Sequence, residues 1–201
     1  MARILMVAAE GLPFIKSGGL ADVIGSLPNE LAKKGHEVRV IMPLYLKIAQ
    51  KFHHEFTLEA QFSVSIAYHE VPVNIWSTMR KDVKFYFVEH KGYFEREEMY
   101  GHIDDGERFA YFQKAVIEMC NQLNYFPEIM HCHDWHTGMI PAMCKEGHSF
   151  DEAIAISALF IRFTIWLIRG TSVWKCWTAV WDWIIEFMTT EMYATTVESV
   201  S

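Results

Sequence analysis

Four pieces follow one another without interruption in the first 43 residues: an apolar run, a glycine-bearing loop, a helical stripe and a second apolar run. Arg3 to Ala9 (RILMVAA) is apolar throughout after its arginine, as a strand buried on both faces would be. Gly11 and Pro13 mark the loop. Leu20, Val23, Ile24, Leu27 and Leu31 then recur at three- and four-residue steps until Gly35, a helix stop. Pro28 falls inside that stripe and predicts a kink or a division into two helical pieces. Val38 to Met42 (VRVIM), closed by Pro43, reads as the next strand. Two strands joined through a helix are expected to lie parallel, so the chain is expected to be α/β with a doubly wound, mostly parallel sheet flanked by helices.

The middle of the chain is less regular. Phe62–Tyr68, Val71–Thr78 and Val83–Val88 alternate as strands do, and Arg80-Lys81-Asp82 between the last two suggests a hairpin turn. Asp104-Asp105-Gly106 opens a helix whose buried face should carry Phe109, Phe112, Val116, Met119 and Cys120. Glu128–Cys132 is a further short buried strand, and a helix from Gly138 to Cys144 is expected after it.

Two clusters carry possible chemistry. In Lys16-Ser17-Gly18-Gly19-Leu20-Ala21-Asp22 two glycines stand between a loop and a helix start. Glycines let a ligand approach the backbone, amides at a helix start favour anions, and a lysine adds a point charge for phosphate. The pattern is neither GxGxxG nor Walker A, so a plain turn with a helix cap stands beside phosphate binding as an alternative. In His131-Cys132-His133-Asp134-Trp135-His136 three histidines and an aspartate crowd the end of a strand, where open α/β sheets bind ligands. They suit metal ligation, acid–base work or sugar hydroxyls, and Trp135 suits sugar stacking or core packing. The spacing disfavours metal: His131 and His133 share a strand face, but His136 lies beyond the strand and no second ligand motif follows.

Charge and cysteine usage narrow the classes. The chain carries 18 basic and 25 acidic residues among 201, a net charge of −7 that disfavours nucleic acid as a partner. Its four cysteines show no CxxC spacing and the N-terminus has no secretory pattern, so a cytoplasmic protein with reduced thiols is expected.

The segments KSGGLADVIGSLPNELAKKGHEVRVIMPLY and HCHDWHTGMIPA, with YFEREEMYGHIDDGERFAYF between them, resemble the N-terminal domain of the ADP-glucose-dependent glycogen and starch synthase family over about residues 2–152. That resemblance implies a Rossmann-like half of a GT-B glycosyltransferase. It also implies retaining transfer of glucose from ADP-glucose to the non-reducing end of an α-1,4-glucan, with no metal and no cofactor beyond the donor. By resemblance, Lys16, Gly18, Gly19 and Tyr100 face the donor. Asp134 and His136 stand at the reacting sugar, and Asp22 and Trp135 line the glucose or acceptor pocket. Asp22 and Tyr100 are read as scaffold with equal weight, and Tyr93 and Phe94 as packing.

The end of the chain departs from this pattern. All ten histidines and all six prolines lie at or before His148, whereas five of the seven tryptophans fall in the last fifth. Where the family carries a TIYTIHNLAYQG-like stretch, this chain reads ALFIRFTIWLIRG from Ala158 to Gly170. Codons chosen for that stretch and read from their third nucleotide yield Thr-Ile-Tyr-Thr-Ile-His-Asn-Leu-Ala-Tyr-Gln-Gly. Residues 153–201 are therefore expected to be an out-of-frame tail on an incomplete N-terminal domain, with the family's C-terminal nucleotide-binding domain absent and the chain inactive by itself. Ala153–Ile168 is too short, and interrupted by Arg162, for a membrane span. The Trp174, Trp177, Trp181, Ile184 stripe is then accidental. A noncatalytic glucan-binding fragment is the alternative from another class, and a metal module on His131, His133 and His136 a third.

Overall fold

A computed structural model describes residues 1–66, 68–145 and 158–162. The expected β-loop-α-β unit forms from β1 (Arg3–Val7), α1 (Leu20–Lys33) and β2 (Glu37–Pro43). Next come α2 (Leu46–Phe52), β3 (Thr57–Ile66), β4 (His69–Arg80) and β5 (Val83–Glu89). The short α3 (Lys91–Phe94), the long α4 (Asp105–Gln122), β6 (Ile129–His133), α5 (Ile140–Lys145) and β7 (Ala158–Arg162) complete the described elements.

The seven strands make one sheet in the order β3-β4-β5-β2-β1-β6-β7. Pairing is parallel from β5 through β2, β1 and β6 to β7, and antiparallel where β4 and β3 extend the sheet. Central strands buried on both faces need apolar side chains at every position, and Leu5, Met6, Val7, Val40, Ile41, Met42, Phe87 and Val88 are all fully buried. Phe109, Phe112, Val116, Met119 and Cys120 are buried on α4 as the periodicity predicts.

Two local expectations need correction, and one element was not expected. Pro28 does not divide α1, which runs unbroken through it. The ring is buried, and the proline lacks only the amide that would have bonded Ile24. The first middle strand begins five residues earlier than its alternation indicates and ends before Tyr68. As the edge of the sheet it is exposed at Thr57, Leu58 and Gln61, so no burial pattern marks its start. α2 was not expected, because its seven residues bury only Ile48.

Gly35 ends α1 as read. At φ +85° its amide donates to the Ala32 carbonyl (2.8 Å), while the His36 amide donates to Leu31 (3.3 Å), the paired bonds of a Schellman close. The polar turn before β5 is also present, with Lys81 at φ 54° between β4 and β5. Among the described residues no helix is long and apolar enough to cross a membrane. The tryptophan stripe and most of residues 153–201 lie outside the described residues.

Candidate functional site

The sheet order positions the site. β1 has β2 on one side and β6 on the other, so the winding reverses between β1 and β6. Ligands of open α/β sheets bind at the carboxyl ends of strands at such a reversal. Val7 and Cys132 are register partners, so the loop after β1 and the turn after β6 leave the sheet side by side. These are the two clusters of the sequence.

The loop after β1 is held by its own carboxylates. Glu10 is buried, 4% exposed, and its carboxylate accepts the amides of Ser17 and Gly18, the latter at 3.2 Å. Lys16 Nζ lies 2.7 Å from both carboxylate oxygens of Asp22, in the first turn of α1, and both side chains are about half exposed. Gly18 is not in the left-handed region, and a Cβ there would touch only Glu10 Oε1, at an ordinary 3.5 Å. Among the described residues neither the backbone nor packing requires a glycine at 18, so the space it leaves is open among them. Gly19 precedes the first residue of α1, which has no side-chain cap.

The turn after β6 is strained at one residue. Asp134 has φ 60° and ψ −178°, a conformation open essentially to glycine and costing a side-chain-bearing residue about 1–3 kcal/mol. Packing on either side imposes it. Trp135–Thr137 form one 3-10 turn, Thr137 Oγ1 donates to the His133 carbonyl (2.9 Å), and buried Gln113 of α4 accepts the amides of Met139 (2.7 Å) and Ile140 (3.2 Å). The chain must therefore reverse at Asp134.

His136 is buried among aromatic rings, with centroids 4.0 Å from Trp135, 4.6 Å from Phe109 and 4.7 Å from Tyr100. Burial, and secondarily the Arg108 guanidinium, push its pKa down to about 3. The imidazole is neutral across the ordinary range, which suits hydrogen bonding to hydroxyls better than proton delivery. Trp135 is half-buried, packed on His136 and edge-on to Phe109 at 5.2 Å.

Tyr100 joins the two clusters. Its ring packs on His136, and its buried hydroxyl lies beside Ser17 and Tyr45 without a well-formed hydrogen bond to either. Burial raises that hydroxyl's pKa first, and the charges of Glu10 and then Asp134 add to it. One phenol thus senses carboxylates from both strand ends. The fully buried Arg108 supports this side: it donates to the Met99 carbonyl (3.2 Å) and to Asp105 (3.0 Å), with Phe94 and Phe109 each 5.2 Å from its guanidinium.

The expected residues therefore gather at one end of the sheet. Lys16, Gly18 and Gly19 sit on the β1 loop, Asp134, Trp135 and His136 on the β6 turn, and Tyr100 between them. Asp22 binds Lys16, which fits holding the loop. Phe94 is fully buried and Tyr93 partly so, both as packing. Glu10, Tyr45, Arg108 and Gln113 were missed. Only Glu10 left a signal, an acid closing an otherwise apolar strand run. His131 and His133 rings lie 4.1 Å apart, but among the described residues no group of three His, Cys, Asp or Glu side chains is arranged to hold a metal ion.

Residues 3–166 match the model of the starch synthase catalytic domain family. The chain is 44% identical over 151 residues to a glycogen synthase of Streptococcus agalactiae serotype III (strain NEM316), covering 75% of this chain and 32% of that protein. It is 46% identical over 151 residues, with the same coverage, to a glycogen synthase of Streptococcus pneumoniae (strain CGSP14). Among solved structures it is similar to the catalytic domain of Starch Synthase IV from Arabidopsis thaliana bound to ADP and acarbose. That similarity has a TM-score of 0.68 and 27% identity, and covers 81% of this chain and 33% of that one. The chain spans about a third of the length of these relatives.

Proposed function

This chain belongs to the starch synthase catalytic domain family, and we propose that it represents one half of the cleft of an ADP-glucose-dependent glycogen synthase. The reaction is retaining transfer of glucose from ADP-glucose to the non-reducing end of an α-1,4-glucan, without metal or cofactor. The observation that carries this reading is the meeting of the glycine loop and the Asp134–His136 turn at the β1/β6 reversal, bridged by Tyr100.

Lys16, Gly18, Gly19 and Tyr100 face the donor: the open space at Gly18 admits a ligand to the backbone, and Lys16 offers a positive charge next to it. Asp134 accepts a sugar hydroxyl from a backbone held under strain, and the neutral His136 hydrogen-bonds another. Trp135 offers a ring face to the glucose or acceptor, while Asp22 fixes Lys16 at the rim. The Arabidopsis structure's bound ADP and acarbose support a nucleotide and a glucan analogue as partners. The acidic balance of −7 disfavours a nucleic acid partner, and four cysteines without CxxC spacing support a cytoplasmic location.

A second reading, noncatalytic glucan binding, is favoured by one observation. The loop's amides and its lysine are already engaged by Glu10 and Asp22, which leaves this half better suited to a neutral sugar than to a diphosphate. Calorimetric titration with maltoheptaose and with ADP-glucose, alongside transfer of labelled glucose to glycogen, separates the two. Binding of both ligands with no turnover by this chain alone is expected. Maltoheptaose binding alone supports the second reading, and binding of neither overturns both.

Residues 153–201 are proposed to be translated out of frame. Support comes from the family stretch recovered by shifting Ala158–Gly170, while the family match itself runs to residue 166. β7 is compatible with this, since Ala158–Ile161 is itself an apolar run and Ala158–Arg162 extends the sheet beside β6. Sequencing the encoding DNA across codons 145–165 decides it: codons unable to yield Thr-Ile-His-Asn in either other frame exclude the shift.

A further inference from the structure

Glu10 lies three residues beyond β1 and is 4% exposed. A buried carboxylate needs a cation or several hydrogen-bond donors to offset its lost hydration. Among the described residues no Lys, Arg or His forms an ion pair with it. Lys16, the cation of its own loop, is bound to Asp22 instead. The offset comes from the loop backbone: Ser17 and Gly18 donate their amides to one carboxylate oxygen, and the other oxygen lies on the side of Gly18 that a Cβ would approach. Two successive amides on one oxygen are what a backbone anion seat provides. Here the anion belongs to the chain.

We propose that Glu10 is the positioning residue of the glycine loop and a resident occupant of its anion seat, holding Ser17 and Gly18 in place and keeping their amides from an incoming diphosphate. This rests on reading the loop as the donor side of the cleft. It revises the role expected for Gly18, which then serves by the space it leaves rather than by its N–H. The fixed loop keeps Ser17 against Tyr100, and so couples the β1 side of the cleft to the β6 side through a ring that already packs on His136.

Two measurements test this. In the unaltered chain, hydrogen exchange resolved by NMR should protect the Ser17 and Gly18 amides at least about tenfold over unstructured rates, as a bond to a charged acceptor does. Exchange at unstructured rates would overturn the proposal without recourse to any variant. In Glu10→Gln that protection should fall about tenfold at these two amides while β1 and α4 keep theirs; loosening that spreads to β1 and α4 would mean a general structural role and overturn a local one.

Titrated with inorganic pyrophosphate, Glu10→Gln should bind at least about fivefold more tightly than the unaltered chain, since the negative charge leaves the seat and the two amides are held only by a weaker, neutral acceptor. Equal or weaker binding, including none by either protein, overturns the occupied-seat proposal. Failure of ADP-glucose to bind while these results hold would count against the donor reading alone.

Discussion

His136 and Asp134 show how packing sets chemistry at single residues. Unfolded, His136 takes a proton near pH 6.5, whereas in the folded chain burial and the Arg108 charge hold it neutral down to about 3. The unfolded state therefore binds more protons between these values, and stability must rise with pH across that window and be lost as pH falls. The urea midpoint should drop as pH is lowered from 6.5 to 4, and this part of the dependence should be missing in His136→Gln. An identical slope in both proteins would place the titrating group elsewhere. At Asp134 the strain predicts the reverse of the usual glycine penalty. Asp134→Gly should match or exceed the unaltered chain in thermal stability, by up to about 1 kcal/mol, and Asp134→Ala should not. A glycine variant less stable than the unaltered chain would show that the carboxylate holds the turn. Neither environment is visible in HCHDWH, which shows the residue types but neither the rings of Tyr100 and Phe109 that enclose His136 nor the backbone conformation of Asp134.

Elements with their own periodicity were legible, and those dependent on distant partners were not. α4 and the central strands bury the faces their spacing predicts, and α1 buries Leu20 and Ile24 of its stripe while Val23, Leu27 and Leu31 are only partly covered, because a repeat of 3.6 or a continuous apolar run is a local property. Gly35 belongs with them. Gly35→Ala should cost about 1 kcal/mol, read from the denaturation midpoint, because φ +85° burdens any Cβ even though nothing lies within 4 Å. α5 is different. Its first amides are capped by Gln113, 26 and 27 residues earlier in the chain. Gln113→Leu should cost about 1–3 kcal/mol and accelerate exchange at Met139 and Ile140. If exchange there is unchanged, the cap is not what secures the turn carrying His136.

For the whole molecule, the expected reduced thiols become a matter of burial. Cys120 and Cys132 are pushed up to about 12 and Cys144 to about 11, all chiefly by desolvation, so the thiolate that reacts is scarce in the folded chain. Mass spectrometry after a brief pulse of Ellman's reagent at pH 7.5 should find these three unmodified until denaturant is added. Labelling of Cys132 in the folded chain would mean that the sheet opens between β1 and β6, at the site itself. By itself the sequence determined the α/β class, the β1-α1-β2 unit, the α4 face and the two chemical clusters, because periodicity, glycine placement and residue chemistry act over a few neighbours. Only the tertiary structure decided that Glu10 fills the glycine loop, that Asp134 is strained, that His136 is neutral and that Tyr100 links both strand ends. The Glu10 contact closes a loop on itself over seven and eight residues, and the others come from contacts between residues tens of positions apart and the dielectric environment they enclose, none of which a helical or strand repeat encodes.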